Sequence, residues 1–387
     1  MDRLISQLPF FTPEHRNLVQ GVAQFAEQEI EPRAASEDDV EGLARNFVQL
    51  LARSGILNYA VAASGLDIRS LCLIREVLSY SSSLADLAFV MQGLGTYAIS
   101  QAAPDHVRDF WLSRAANGKA IAAFALTEPD AGSDVAAIQT TAQRDGDTYV
   151  INGRKRFISN AGIADFYTVF AKTGTREDGR TALSVFVVGA KMQGFSVVER
   201  TSLMAPHPIG EIAFNNCRVP AEDMVGNEGD GFGLAMGTLD TFRASVGAAA
   251  CGMARRALDE AVRYSSTRKQ FGRFLSEHQL VQAKLADMIT ELDAARLLVY
   301  RAAYAKDTSD ARVTREASEA KLFATEAAGR IIDSAVQIHG GTGLVSGTVV
   351  ERLYRDVRAL RIYEGTSEIQ KLVIAGQLLK EIDKADA

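Results

Sequence analysis

The sequence predicts an α+β chain in three parts: an N-terminal helical domain over residues 1–118, a central β-domain over 119–226 and a C-terminal helical bundle over 227–387. Three textures carry this reading. In the first part, NLVQGVAQFAEQEI places Leu18, Val22, Phe25 and Ile30 near helical spacing. The middle holds DTYVING, FYTVFAKT, LSVFVVGA and EIAFNNCRVP, short runs rich in Val, Phe, Ile and Tyr, parted by the turn clusters RDGD, NAG and REDGR. After GNEGDGFG the helical period returns and holds to the end.

Within the first part, LCLIREVLSYSSSLADLAFVMQGLGTYAI is apolar and broken near SYSSS, which predicts two buried helices. In the third, Leu285, Met288, Ile289, Leu292, Ala295 and Val299 follow the i, i+3, i+4, i+7 rule of one buried face. Phe323, Ala327, Ile331 and Ala335 make a second stripe at intervals of four. Small residues on these stripes suit close helix packing.

A chain of 387 residues is long enough for two or three cores. Its apolar fraction of 47% and charged fraction of 23% are ordinary for a globular protein. The formal net charge of −6 argues against a general nucleic-acid binder, which needs a basic face. Cys72, Cys217 and Cys251 are far apart and odd in number, so a reducing compartment is expected. The histidines, His15, His106, His207, His278 and His339, show no metal-ligand spacing. MDRLISQLPFFTPEH lacks the layout of a signal peptide, and no apolar run reaches bilayer-spanning length, so a cytoplasmic protein without membrane insertion is expected.

Five stretches are able to carry chemistry, and each also has a plain structural reading. FALTEPDAGSD, Phe124 to Asp134, is a turn by residue type; it also offers backbone N–H groups and hydroxyls to a ligand. NGRKRFISNAG, Asn152 to Gly162, reads as a strand and turn, or as an aromatic wall with a hydroxyl donor. STRKQFGRFLSEHQ, Ser266 to Gln279, is a charged helix end or, through its arginines, a pyrophosphate clamp. QIHGGTGL, Gln337 to Leu344, fails the spacing and context of a Rossmann glycine loop; it is a helix terminus, or a place where a dinucleotide lies against backbone. In RIYEGTSEIQ, Arg361 to Gln370, Ser367 with Gln370 fits a capping box, which would leave Glu364 a solvated carboxylate.

Taken together and in order, TEPDAGSD, INGRKRFISN, RKQFG with EHQ, QIHGGTG and IYEGTSEIQ resemble the signatures of the acyl-CoA dehydrogenase family over most of the chain. The resemblance implies a helical domain, a small β-barrel or sandwich domain and a four-helix bundle. It also implies non-covalent FAD, a homotetramer built as a dimer of dimers, and transfer of electrons to an electron-transferring flavoprotein. The implied reaction is α,β-dehydrogenation of an acyl-CoA thioester to the trans-2-enoyl-CoA, in catabolism of fatty or other carboxylic acids.

Residue by residue, Glu364 matches the catalytic base of the short- and medium-chain type. Phe124, Leu126, Thr127, Gly132 and Ser133 match the stretch that meets flavin and thioester. Phe157, Ile158 and Ser159 match the segment against the flavin ring, where the hydroxyl donates toward N5. Arg268, Gln270, Phe271, His278 and Gln279, with Gln337, Ile338 and Gly341, resemble the parts that hold the FAD phosphates and adenine, partly across the dimer interface. Thr366 and Glu368 resemble further FAD contacts; Ser133, Asp240, Arg243, Tyr363 and Gly365 resemble substrate contacts.

The chemistry explains the expected place of Glu364. A free carboxylate, with a pKa of roughly 4.3, is too weak a base for a thioester α-proton. Burial raises that pKa, and hydrogen bonds to the thioester carbonyl stabilise the developing enolate. In the family these come from the backbone N–H of the base and a ribityl hydroxyl, while flavin N5 accepts hydride from the β-carbon.

The chain departs from the family pattern in places. Phe242 stands where some members carry the base, and Phe157 where Trp is common. LNYAVAASGLD, residues 57–67, lacks most of a PEEYGG-like loop near the route to the acyl pocket. Gly376–Gln377 stands where a basic residue often lies, and MAPHPIGE, Met204 to Glu211, has no assigned role. The competing functions are a flavin-dependent oxidase or monooxygenase on the same fold, and a non-catalytic CoA-binding or assembly protein.

Overall fold

The computed structural model describes residues 8–34, 39–63, 65–309 and 312–385, with the side chains of 382–385 left aside. The first residues of the leader reading and Ser64 of the shortened loop lie outside the described residues. The chain divides into two compact units: Met1–Ala35, Asp67–Asp86 and Asp240–Ala387 form unit 1, and Ser36–Leu66 with Leu87–Leu239 form unit 2.

The helices are α1 (Pro13–Phe25), α2 (Val40–Arg53), α3 (Ile68–Ser81), α4 (Ser83–Ala102), α5 (Asp105–Ala116), α6 (Gly231–Thr267), α7 (Gln279–Thr308), α8 (Thr314–His339), α9 (Val349–Val357) and α10 (Ser367–Ala385). The break at SYSSS separates α3 from α4, as the sequence predicts. Short polar side chains fix some starts: Asp39 accepts the Gly42 N–H at 2.8 Å and Asp67 the Ser70 N–H at 2.7 Å.

The strands are β1 (Ala122–Ala125), β2 (Thr141–Asp145), β3 (Thr148–Ser159), β4 (Phe166–Thr175), β5 (Thr181–Gly189), β6 (Phe195–Arg200), β7 (Ile209–Pro220) and β8 (Met224–Val225). They form one mixed sheet of order β6-β7-β3-β2-β4-β5-β8, with β1 parallel to β4. β5 and the first six residues of β4 are buried almost throughout, which is why FYTVFA and LSVFVVGA read as near-continuous apolar runs. Their side chains Phe166, Phe170, Val185 and Val187 share a core with Ile99, Leu112 and Ala235. Gly95 lets α4 approach β1, since a Cβ there would lie 2.6 Å from that of Ala122.

Between Lys155 and Ile158 the β3–β7 register slips, and within that bulge Phe157 takes φ 55° and is half exposed. A bulge adds a residue that re-aims a side chain. Here it turns an aromatic out of a strand whose neighbour Ile158 is buried.

In unit 1, α6, α7, α8 and α10 carry the bundle. The stripe of α7 is buried at Met288, Leu292, Ala295 and Val299, but Ile289 is exposed, so the buried face is narrower than the sequence pattern predicts. α6 meets α3 closely: a Cβ at Gly252 would lie 2.1 Å from the Glu76 carbonyl oxygen. Two ion pairs are sealed in this packing. Arg296 of α7 donates Nε to Glu76 of α3 at 2.8 Å, and the Tyr300 hydroxyl donates to the same carboxylate. Arg75, one residue earlier, donates Nε and Nη2 to Asp86, both at 2.8 Å.

Removing one member of such a pair strands the other in a low-dielectric interior, at a cost of about 3–5 kcal/mol. Glu76→Leu is therefore expected to lower the unfolding free energy by that amount, and the urea midpoint accordingly, followed by circular dichroism. An unchanged midpoint would show that Arg296 is satisfied without Glu76.

Candidate active site

Glu364 sits in the turn between the short helix Arg358–Arg361 and α10, with φ 53°, followed by Gly365 at φ 93°. A non-glycine residue in the left-handed region is uncommon and marks a turn that its surroundings hold in place. Two side chains do so. Lys321 of α8 donates Nζ to the Gly365 carbonyl at 2.7 Å, and Gln370 of α10 donates Nε2 to the same oxygen at 3.0 Å and to the Glu364 carbonyl at 3.3 Å. Gln370 and Lys321 are fully buried. At φ 93° Gly365 adopts a conformation that L side chains rarely take, and a Cβ there would also lie 2.5 Å from Gln370 Nε2, which would have to shift.

The capping-box reading of Ser367 with Gln370 does not hold. The Ser367 hydroxyl instead donates to Glu326 at 2.6 Å, Thr366 Oγ1 accepts the Ile369 N–H at 3.3 Å, and Gln370 reaches backward to the turn. Glu364 is accordingly not a solvated carboxylate. It is half-buried, and its Oε2 is buried with no hydrogen-bond partner among the described residues. Burial pushes its pKa above the usual carboxylate range, against the pull of Arg75, Lys321 and Arg243 and with a smaller push from Asp86. Tyr363, its neighbour, is raised by burial as well.

The substrate candidates Asp240 and Arg243 pair with each other along α6, and Asp240 accepts the Thr314 hydroxyl at 2.9 Å. Arg243 is buried, and its Nε has no partner among the described residues. Phe242, at the alternative base position, is fully buried.

The clamp candidates lie on an exposed hairpin in which Lys269–Gln270 pairs with Arg273–Phe274. Phe271 and Gly272 form its tip, at φ 52° and 79°, and two positive angles are what a tight hairpin turn demands. Phe271 is 93% exposed. Arg268 and Gln270 are exposed, Gln279 opens α7, and His278 Nε2 lies 3.4 Å from the Gln270 carbonyl oxygen. The hairpin's supporting residue Tyr264 stacks on His339 at 4.4 Å between centroids, which links it to the segment of Gln337, Ile338 and Gly341. Gln337 and Gly341 are exposed, whereas Ile338 is buried. Thr366 is half-buried and Glu368 exposed.

In unit 2, FALTEPDAGSD leaves β1 and is bound to β3. Lys155, fully buried, donates Nζ to the Leu126 carbonyl at 3.0 Å and to Glu128 at 2.8 Å. Glu128 in turn accepts the backbone N–H groups of Gln139 and Thr140, at 2.6 and 2.9 Å, and the Arg156 N–H donates to Thr127 at 2.9 Å. Burial pulls the Lys155 pKa down to about 8, opposed by Glu128. The loop thereby lies along the bulge that carries Phe157. Phe124, Thr127 and Ser159 are half-buried, Leu126 and Ile158 buried, and Gly132 and Ser133 exposed. A Cβ at Gly132 would meet nothing within 4 Å.

MAPHPIGE acquires a contact here. His207 Nε2 lies 2.9 Å from the Ser159 hydroxyl, and the Pro208 carbonyl accepts the Asn160 N–H at 2.7 Å. Burial pulls the His207 pKa down to about 4, which keeps the ring neutral near pH 7. Sequence reasoning missed this histidine, Lys321, Arg75 and Lys155. Lys321 left a trace: with Ala317, Ala324 and Ala328 it lies on one helical stripe, a charge on an otherwise apolar face.

Among the described residues no group of His, Cys, Asp and Glu is placed to hold a metal ion, and no helix is long and apolar enough to cross a membrane. The donor set suits a flavin: an out-turned aromatic in a bulge, a hydroxyl beside it, and an open glycine turn fixed against the same strand.

Family models for the acyl-CoA dehydrogenase N-terminal, middle and C-terminal domains match residues 12–119, 123–217 and 229–379. A 3-(aryl)acrylate reductase of Clostridium sporogenes is 41% identical over 379 residues, covering 96% of this chain and 100% of that one. The structure of butyryl-CoA dehydrogenase from Megasphaera elsdenii superposes with a TM-score of 0.88 at 34% identity, covering 95% of this chain and 99% of the other. A glutaryl-CoA dehydrogenase from Mycobacterium smegmatis in complex with FADH2 gives 0.89 at 27% identity, covering 97% of both chains. Three consecutive domain matches, in the order helical, β, helical, account for nearly the whole chain, which belongs to the acyl-CoA dehydrogenase family of oxidoreductases.

Proposed function

We propose that this enzyme removes hydrogen across the α,β bond of an acyl-CoA thioester with a short, medium, branched or cyclic acyl group, Glu364 taking the α-proton. The observation that carries the reading is the state of Glu364: a carboxyl with a buried, unpartnered oxygen and a raised pKa, held in a left-handed turn. A structural carboxylate would have its lone pairs filled.

The residues divide the work. Glu364 accepts the proton as the α C–H bond breaks. The Glu364 N–H has no backbone acceptor among the described residues, so it is free to donate to the thioester carbonyl, where charge develops. Arg243, with its free Nε, and Asp240 orient the thioester side of the ligand. In unit 2, Phe157 supplies a wall, and Ser159, Thr127 and Ser133 supply hydroxyls, to FAD and the ligand. In unit 1, Arg268, Gln270, Phe271, His278, Gln279, Gln337, Ile338, Gly341, Thr366 and Glu368 are assigned to FAD. Part of that set would serve the neighbouring subunit of a homotetramer, which accounts for an aromatic as exposed as Phe271. When bound, FAD supplies the hydride acceptor for the β-carbon, and an electron-transferring flavoprotein would be the onward acceptor.

A second reading runs the same bond chemistry as a reduction of an enoyl double bond, with protonated Glu364 giving the α-proton while bound reduced flavin would supply the hydride for the β-carbon. The name carried by the C. sporogenes relative favours keeping it. Both directions need the same base position.

Glu364→Gln is expected to keep bound flavin and thioester while losing α-proton exchange with D2O by at least about 100-fold, read by mass spectrometry of the recovered thioester. Exchange at the wild-type rate would remove Glu364 from the reaction. Arg268→Ala is expected to purify with less flavin per chain, measured from the ratio of visible to ultraviolet absorbance. Full occupancy in that variant would contradict the clamp.

A further inference from the structure

The turn that carries Glu364 rests on a fully buried ammonium group. Lys321 lies in the first third of α8, and its Nζ is 2.7 Å from the Gly365 carbonyl oxygen. Gln370 already donates to that carbonyl. A lysine used only as a second donor is a poor choice, because burying its charge costs several kcal/mol that a neutral donor would avoid. Charge is therefore the property to explain.

We propose that Lys321 is a positioning residue for Glu364, pinning the Gly365 carbonyl while its buried positive charge sets the pH at which Glu364 becomes a base. The inference rests on the reading of Glu364 as the base. Glu364 is acted on by Arg75 from α3, Asp86 from α4, Arg243 from α6, Lys321 from α8 and the adjoining Tyr363. Of the three cations, Arg75 has both a carboxylate, Asp86, and the Ser245 hydroxyl at 2.8 Å. Arg243 has Asp240. Lys321 has no ion-pair partner within 4.0 Å among the described residues; its one hydrogen bond is to a carbonyl. Its electrostatic partners are Glu364 first, then Glu326 and Glu368, with Arg243 opposing. Glu326 is itself paired with Arg361 at 2.7 Å, and Glu368 is exposed. The Lys321 charge is thus the one least compensated elsewhere, although Arg75 exerts the larger pull on Glu364.

The sign follows. Burial pulls the Lys321 pKa down to about 8, with Glu364 opposing, so the ammonium is charged at neutral pH and below. Across that range it favours ionised Glu364. Removing the charge leaves burial of Glu364 less opposed, so the pKa of Glu364 rises and the carboxyl stays protonated to higher pH.

The test is a titration of Glu364 by infrared difference spectroscopy of the flavin-bound protein, its carboxylic acid band being identified by loss in Glu364→Gln. Lys321→Met is expected to raise the Glu364 midpoint by about 1–3 units. Lys321→Gln, which keeps a donor near the carbonyl without the charge, is expected to do the same, and Lys321→Arg to restore the wild-type midpoint. A midpoint unmoved in Lys321→Gln, or moved equally in Lys321→Arg, would overturn the proposal. Should Lys321→Met fail to fold, Lys321→Gln and Lys321→Arg decide it alone. The titration involves no thioester or turnover, so it can fail while thioesters still reduce the flavin, and the reverse.

Discussion

A buried carboxyl can ionise only where nearby positive charge offsets its lost hydration, and the packing around Glu364 supplies that charge. Burial alone would keep the carboxyl protonated. Arg75, Lys321 and Arg243 offset this from three helices, and each cation needs its own support in the interior. Arg75 is held by Asp86 and Ser245, Arg243 by Asp240, and Lys321 by the Gly365 carbonyl. The left-handed pair Glu364–Gly365 presents its carbonyls to Lys321 and Gln370 while leaving Glu364 Oε2 unpartnered among the described residues.

Unit 2 meets a different requirement, fixing a polar turn and an aromatic against one strand. The buried Lys155 joins the Leu126 carbonyl to Glu128, whose carboxylate gathers two backbone N–H groups beyond the turn. The bulge at Phe157 turns its ring outward from the same strand. His207 places a neutral imidazole on the Ser159 hydroxyl, so the direction of that hydroxyl is set by a neighbour from another strand connection. This is where MAPHPIGE earns a structural role.

The elements were legible because each carries a period or a break: SYSSS between α3 and α4, GNEGDGFG before α6, and apolar runs at β4 and β5. The left-handed turn at Glu364 and the hairpin tip at Phe271 fall within stretches that the motifs single out. What periodicity overstated was breadth, since Ile289 fits the stripe of α7 yet is exposed. What local pattern misassigned was Ser367 with Gln370, where Glu326 of α8 and the backbone of the turn compete for the same side chains. The supports of the Glu364 turn were the least visible. Arg75, Asp86 and Lys321 come from segments far apart in sequence, and their roles exist only once α3, α4 and α8 pack. A lysine on the Ala-rich stripe of α8 was the one local hint.

The most direct measurement is the visible spectrum of the purified enzyme during anaerobic titration with a panel of acyl-CoA thioesters. A yellow protein whose flavin bands bleach with one class of saturated thioester, releasing the matching trans-2-enoyl-CoA, is the predicted result. A flavin-bearing protein that no saturated thioester reduces, but whose reduced form is reoxidised by an enoyl substrate, would contradict the dehydrogenase direction and establish the reductase reading instead.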